Sequence, residues 1–435
     1  MPDAPGPSSG GASNAGASGR DASGSSGANR GEGVGRNTRT GRSHAIAAGL
    51  LGFTFDAFDF FVVVFLIGTL ATAFRVDKSA IVWAMTLTLA MRPVGALLFG
   101  LLSDRYGRRV PLMINVIYFS IVEVLCGFSP NFTFFLVMRA LFGIGMGGEW
   151  GVGASLTMEA APIRWRGWLS GALQGGYPAG YLLAAVAARF LLPTWGWRSM
   201  FFVGAVPALL ALYIRSKVPE STAWQQRRAP SMLAVLRSVA QDWKNFAYLA
   251  ALMAFMPFLS HGSQDLYPDF LRTVHHVADA TISNIAILYN AAAILGGIAF
   301  GQISEWVGRR KSMVGALVVA LLAIPLWAFA TNLHALVIGA VLMQIGAQGT
   351  WGVIPVHLNE MSPDHARGLV PGLAYQLGIL IAAPTNSIEY ALRDRFGYQW
   401  ALAGFESVTI VVLIVLVSLG HERRGRSFSA PAAGP

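Results

Sequence analysis

Apolar residues run in long, nearly unbroken blocks along this chain, and short polar breaks separate them. Six blocks lie near 46–73, 79–102, 110–128, 132–158, 167–191 and 198–216, and six more near 245–271, 281–304, 312–330, 334–358, 369–392 and 398–419. Each is long enough for a helix to cross the roughly 30 Å hydrocarbon core of a bilayer. Twelve crossings place both ends of the chain on one side. The pattern predicts an N-terminal bundle over 44–216, a polar linker over 217–244 and a C-terminal bundle over 245–420. Residues 1–43, mostly Gly, Ser, Ala and Pro with scattered Arg, are too poor in apolar residues to fold alone and read as a disordered tail. They lack the apolar stretch and cleavage site of a secretory signal. Residues 421–435 read as a second tail.

The two sets of six blocks are copies. Gly-Leu-Leu-Ser-Asp-Arg-Tyr-Gly-Arg-Arg at 100–109 returns as Gly-Gln-Ile-Ser-Glu-Trp-Val-Gly-Arg-Arg at 301–310, and the shift of 201 positions holds without a gap. Gly95 falls on Gly296, Trp150 on Trp351, Glu159 on Glu360, Arg166 on Arg367 and Gly171 on Gly372. Two six-helix units related by a pseudo-two-fold axis, with a cavity between them, are the architecture of alternating access. The pattern therefore predicts an all-α membrane carrier.

Charge sets its orientation. Only 12% of residues are charged while 54% are hydrophobic, and the net charge of +10 is concentrated in particular loops. Arg105, Arg108, Arg109, Arg164 and Arg166 share a side with Arg309, Arg310, Lys311, Arg367, Arg423, Arg424 and Arg426, whereas the opposite loops hold few cations. Short loops rich in Lys and Arg face the cytoplasm, so both termini are expected there, with the protein in a bacterial-type inner membrane. The basic residues are scattered without aromatic interleaving, which excludes single-stranded nucleic acid as a partner. Cys126 is alone, so no disulfide or thiolate metal site forms within the chain. No nucleotide-binding loop appears, which argues against an ATP-driven pump. No cofactor is expected beyond a coupling proton.

The repeated loops also carry matched carboxylates. Asp104 can accept hydrogen bonds at a neighbouring helix N-terminus. Arg105, Arg108 and Arg109 can pair with acids at helix ends, and Glu159 and Arg166 supply partners. Glu305, Arg309, Arg310, Glu360 and Arg367 repeat the set. Such pairs would hold one mouth shut and break when it opens. The alternative is charge that serves only to orient the chain in the membrane, but the matched acids exceed what orientation needs.

These loops resemble the signature of the major facilitator superfamily, G-x-x-x-D-R-x-G-R-R, and the Glu-x6-Arg pairs Glu159–Arg166 and Glu360–Arg367 are similar to those of its proton-coupled sugar porters. The resemblance covers about 46–420. It implies twelve helices in two bundles with a substrate site at mid-membrane.

Ionisable residues inside the spans point to that site, because charge in lipid is costly and usually functional. Asp56 and Asp59 share one face of the first span. Arg92 lies in the second span before Pro93, and Arg139 and Glu149 lie in the fourth. Proton-coupled relatives pair a first-span Asp with this fourth-span Arg, which implies Asp59 and Arg139 as the coupling pair, with Asp56 beside them. Mutual neutralisation between helices is the simpler reading of the same residues. Arg92 can clamp a carboxylate or serve packing. Glu123 and Glu406 are lone acids with no assigned role.

The seventh span holds Ser260, His261, Ser263, Gln264 and Asp265, with His261 and Asp265 one turn apart. Ser-His-Gly-Ser-Gln-Asp at 260–265 resembles the sialate:proton symporter family, which includes lactate and pyruvate permeases, and Gly-Gly-Glu-Trp-Gly-Val-Gly at 147–153 resembles the same group. Pro257 and Asp269 depart from that family's Asn and Thr. The resemblance implies proton-coupled uptake of a small organic anion, a monocarboxylate such as lactate or pyruvate, by a monomer. Arg92, His261, Ser263, Gln264 and Asp265 are its candidate ligands. Sialate, aromatic acids, dicarboxylates and drug export by the same fold are the alternatives. A silent sensor would need a further folded domain, and no nucleophile–base or metal cluster supports an enzyme.

Overall fold

A computed structural model describes the backbone over residues 27–428 and side chains from Thr40 onward. The expected tail at 1–26 and the last residues, 429–435, lie outside the described residues. The residues up to Thr40 form a unit of their own, and a helical body runs from Gly41 onward.

Helices build the whole body, as backbone in hydrocarbon requires. In the first half they are α1 (Gly27–Phe74), α2 (Lys78–Tyr106), α3 (Arg109–Gly127), α4 (Phe132–Ala160), α5 (Arg166–Gln174), α6 (Gly176–Trp195), α7 (Trp197–Val203) and α8 (Pro207–Lys217). The linker forms α9 (Thr222–Gln226) and α10 (Met232–Gln241). The second half holds α11 (Trp243–Gln264), α12 (Tyr267–Thr273), α13 (Asp279–Val307), α14 (Arg309–Phe329), α15 (Leu333–Met361), α16 (Leu369–Ala382), α17 (Thr385–Phe396) and α18 (Tyr398–Leu419). The helix α1 begins well inside the segment expected to be an unstructured tail.

Ten described helical segments are long and apolar enough to cross a membrane. The fifth and eleventh crossings are each split in two, α5 with α6 and α16 with α17, and proline is the cause. Pro178 has no N–H to give the Gln174 carbonyl, and Pro384 has none for Leu380, so each helix loses a bond and bends there. The expected pairing of two six-span bundles stands with these two interruptions.

The interruptions divide the labour of packing. The bundles meet through the half-helices nearest the repeated loops: α5 packs on α13 and α15, and α16 packs on α2 and α4. The other halves stay within their own bundle, α6 against α7 and α17 against α11 and α18. Gly151 makes the bundle contact possible, since a Cβ there would fall 2.7 Å from the Gly372 Cα. The body is therefore sealed at the loop face and parts towards the opposite face. Both ends of the body lie at the sealed face, with Gly41 against Pro219 and Arg426 against Glu360.

Candidate functional site

The seal is built twice. In the first half the turn after α2 needs Gly107, at φ 108°, a conformation side chains other than glycine avoid. That turn brings Arg108 back over the end of its own helix. Its Nη1 pairs with Asp104, and its Nε and Nη2 grip Glu159 of α4 at 3.2 and 2.9 Å. In the second half Gly308, at φ 102°, turns Arg309 onto Glu305 at 2.8 Å and onto Glu360 of α15 at 2.9 and 3.0 Å. Burial alone would lower the Arg108 pKa, but Glu159 and Asp104 outweigh it and hold the guanidinium above its ordinary value. Both forks are bidentate and buried.

Each fork then fastens the other bundle. The Asp104 carboxylate accepts from the Gly368 and Leu369 N–H groups at 2.8 and 2.9 Å, capping the start of α16. The Glu305 carboxylate accepts from the Gly167 N–H at 2.5 Å, at the start of α5. Anions at helix N-termini satisfy orphan donors and the helix dipole together. The linker and the C-terminal segment repeat one device: Glu220 caps the Arg108 and Arg109 N–H groups, and Glu422 caps that of Arg310.

Several expected gate residues sit elsewhere. Arg109 donates to the Arg215 carbonyl and Arg310 to those of Val417 and Ser418, so each staples a helix end within its own bundle. Arg105 lies over the Tyr106 ring, outside the fork. Arg166 does not meet Glu159; it lies 4.0 Å from Glu360 and donates to the Met158 and Arg426 carbonyls. Arg367 pairs with Asp364. Between these last two arginines lies the buried Phe428 ring, 3.8 Å from Arg166 and 4.2 Å from Arg367. Nothing in the apolar pattern marked this C-terminal plug.

Inside the first bundle the expected Asp59–Arg139 pair does not form. Arg139 Nη1 bonds instead to Glu123 of α3 at 3.2 Å, both fully buried, and the oxygens of Asp59, Asp56 and Glu149 have no hydrogen-bond partner. A third helix supplies the acid that Arg139 meets. Glu123 was visible in the sequence as a lone acid in an apolar block; its partner was not.

Arg92 is buried at the bundle contact, its guanidinium 5.8 Å from the Tyr375 ring of α16 and its Nε without a partner. Tyr375 stacks on Trp150 and meets the edge of Trp351. In α11, His261 Nδ1 lies 3.0 Å from Asp265, which also accepts from Asn386 of α17 at 3.3 Å. The His261 side chain is 44% exposed, on the side where the bundles part. Gln264 is half-buried on the same turn. Ser263 points away from His261: it is buried, donates to the Leu259 carbonyl and accepts from Gln344 of α15. Helical rotation explains this, since positions 261 and 265 share a face that 263 does not.

The sequence profile of a family described as "Sugar (and other) transporter" matches residues 49–241 and again 231–421. The chain belongs to this family. The membership makes the chain a transporter rather than an enzyme. Among curated relatives, a carboxylic acid transporter protein homolog of Saccharomyces cerevisiae is 29% identical over 86% of this chain and 67% of its own length. The sialic acid transporter NanX of Escherichia coli is 26% identical over 89% and 96%. A probable 4-methylmuconolactone transporter of Cupriavidus pinatubonensis is 30% identical over 86% and 89%. The solved proton:xylose symporter XylE superposes with TM-score 0.73 at 19% identity, over 90% of this chain and 98% of its own, which establishes the major facilitator fold.

Proposed function

We propose that this transporter is a proton-coupled importer of a small organic anion, a monocarboxylate such as lactate or pyruvate, working by alternating access as a monomer. The sealed loop face would be cytoplasmic, in the plasma membrane of a bacterial-type cell, with the open side receiving substrate. One observation carries the reading: a buried arginine, Arg92, has an unmet donor at the contact between the bundles. A fixed cation there suits an anionic substrate and repels a cationic drug. His261, steadied by Asp265, offers a second polar contact on the exposed side of the cleft, and Gln264 completes the set. Ser263 would then position α11 against Gln344 and have no direct part in binding.

Coupling to protons is supported by Asp56, Asp59, Glu123 and Glu149, carboxylates buried within the spans of the first bundle beside two arginines, Arg92 and Arg139, while the buried Arg108 and Arg166 are engaged at the sealed face. Unpaired carboxylates in so dry a place are tolerable only when protonated. One monoanion carried with one proton moves no net charge, so uptake would follow the pH gradient. A second reading of the substrate rests on Trp150, Tyr375 and Trp351, an aromatic group beside Arg92 that suits a planar, unsaturated or aromatic acid. Counterflow in proteoliposomes against labelled pyruvate, lactate, sialate, muconate and nicotinate, with and without an imposed pH gradient, tests both. Counterflow of none of these acids would remove the organic-anion assignment.

A further inference from the structure

We propose that Glu123 is a proton-carrying residue, and that the Arg139 guanidinium exchanges between Glu123 and Asp59 as a proton passes from one carboxyl to the other. The inference rests on the proton-coupled reading above and adds a residue and a step to it.

The geometry supplies both resting places. Arg139 holds Glu123 through a single contact, Nη1 to Oε2 at 3.2 Å. Its Nε and Nη2, the Oε1 of Glu123 and both oxygens of Asp59 are buried without partners. Gly204, in the turn between α7 and α8, stands between the two acids: a Cβ there would fall 2.5 Å from the Glu123 Cγ and 2.8 Å from the Asp59 Oδ1. The absence of that one methyl lets both acids approach the same guanidinium. The Phe142 ring lies under it at 4.2 Å and gives it a flat surface on which to swing.

Charge count requires protons in this pocket. The groups facing this pocket are Asp56 and Asp59 from α1, Arg92 from α2, Glu123 and Cys126 from α3, Arg139 and Glu149 from α4, and, beside Asp56, Tyr177 from α6 and Tyr375 from α16. Two guanidiniums cannot neutralise all four acids, and an ionised carboxylate without a partner is not stable in so dry a site. In the structure Glu123 is the carboxylate paired with Arg139 and Asp59 is without a partner, so the proposed step starts with the proton on Asp59. In the step proposed, the O–H bond at Asp59 breaks and one forms at Glu123, while Arg139 moves from Glu123 to the new Asp59 carboxylate. One proton changes oxygen, and the summed charge of the three groups is constant. The proton thereby moves from α1 to α3, a helix that packs on α2, α4, α7 and α8 of its own bundle.

The test uses the full chain in proteoliposomes and infrared difference spectra between acid and alkaline pH, which read protonated carboxyls without any substrate. The wild type should lose a protonated-carboxyl band as pH rises. In Glu123→Gln the part of that band contributed by Asp59 should be lost at all pH values, because Arg139 then fixes Asp59 as a carboxylate while the other buried carboxyls contribute as in the wild type, and pH-driven accumulation of labelled pyruvate should be lost with it. A Glu123→Gln spectrum that titrates like the wild type overturns the relay. Should that variant fail to reach the membrane, Glu123→Asp keeps the charge and withdraws it by one methylene. Its titration midpoint should then be displaced, and an unmoved midpoint overturns the proposal. A wild-type band that titrates as described, with no pH-driven accumulation of any carboxylate, leaves the relay standing and removes the symport reading instead.

Discussion

Trp150 and Trp351 occupy equivalent places in the two halves and close on the same ring. Trp150 stacks on Tyr375 with centroids 4.3 Å apart and planes 13° apart, and Trp351 meets it edge-on at 5.7 Å and 82°. The internal repeat brings equivalent residues together at the bundle contact, but their shared partner breaks the symmetry. The counterpart of Tyr375 is Gln174, whose Oε1 accepts from Trp150 Nε1 at 3.1 Å. One half thus presents an amide and the other an aromatic ring beside Arg92, which gives the pathway a chemically distinct wall on each side.

That wall is testable through Arg92. Tyr375→Phe keeps the stack and should leave substrate affinity close to wild type. Tyr375→Ala removes both the stack and the surface under Arg92, and its half-saturation concentration should rise about tenfold, as should that of Arg92→Lys, whose point charge lacks the planar fork. A double-mutant cycle between the two positions should show coupling of about 0.5–3 kcal/mol. Additive effects would separate Tyr375 from the anion site.

The caps on α16 and α5 predict a rate effect without a binding effect. Asp104→Asn loses the charge shared by Arg108 and two backbone N–H groups, so it weakens the sealed state alone. Transport should change by a factor set by about 1–3 kcal/mol of differential stability, with half-saturation little altered. Initial rates measured across substrate concentration decide it. A wild-type rate at normal membrane abundance would leave the charge as an orienting device only.

Phe428 predicts that the C-terminal segment belongs to the seal. Removing a buried ring commonly costs about 3–5 kcal/mol, and here the loss falls on the state in which Arg166 and Arg367 flank it. Phe428→Ala should therefore expose the mouth between the bundles. Ser155→Cys, whose hydroxyl position donates to the Arg367 carbonyl, should then react faster with a maleimide added at that face. The native Cys126 is buried and gives little background. Equal labelling with and without the ring would confine Phe428 to packing.

Coupling separates from translocation at Asp59. Asp59→Asn should abolish pH-driven accumulation while exchange between two substrate-loaded pools continues in part, since the amide cannot carry the proton and does not touch the anion site. Full accumulation by this variant would take Asp59 out of the mechanism.

Much of the architecture was legible in the chain. Spans were legible because lipid forces long apolar helices, and the repeat was legible because a shift of 201 positions aligns both halves without a gap. The doubled forks followed, since Arg108 with Glu159 and Arg309 with Glu360 have the same spacing and the same loop. The His261–Asp265 contact was readable too, because one helical turn sets it.

Tertiary structure decided every partner that comes from another crossing. Arg139 chose Glu123 over Asp59 because α3 and the glycine turn at Gly204 bring that acid closer, and no periodicity within one span encodes the distance between two. Ser263 faces Gln344, and Arg166 lies against Phe428, for the same reason. A sequence fixes which residues share a face of one helix, through the 3.6-residue turn. Which faces meet depends on how the helices rotate and cross, and that is settled only when glycines such as Gly151 and Gly372 let two bundles close on each other.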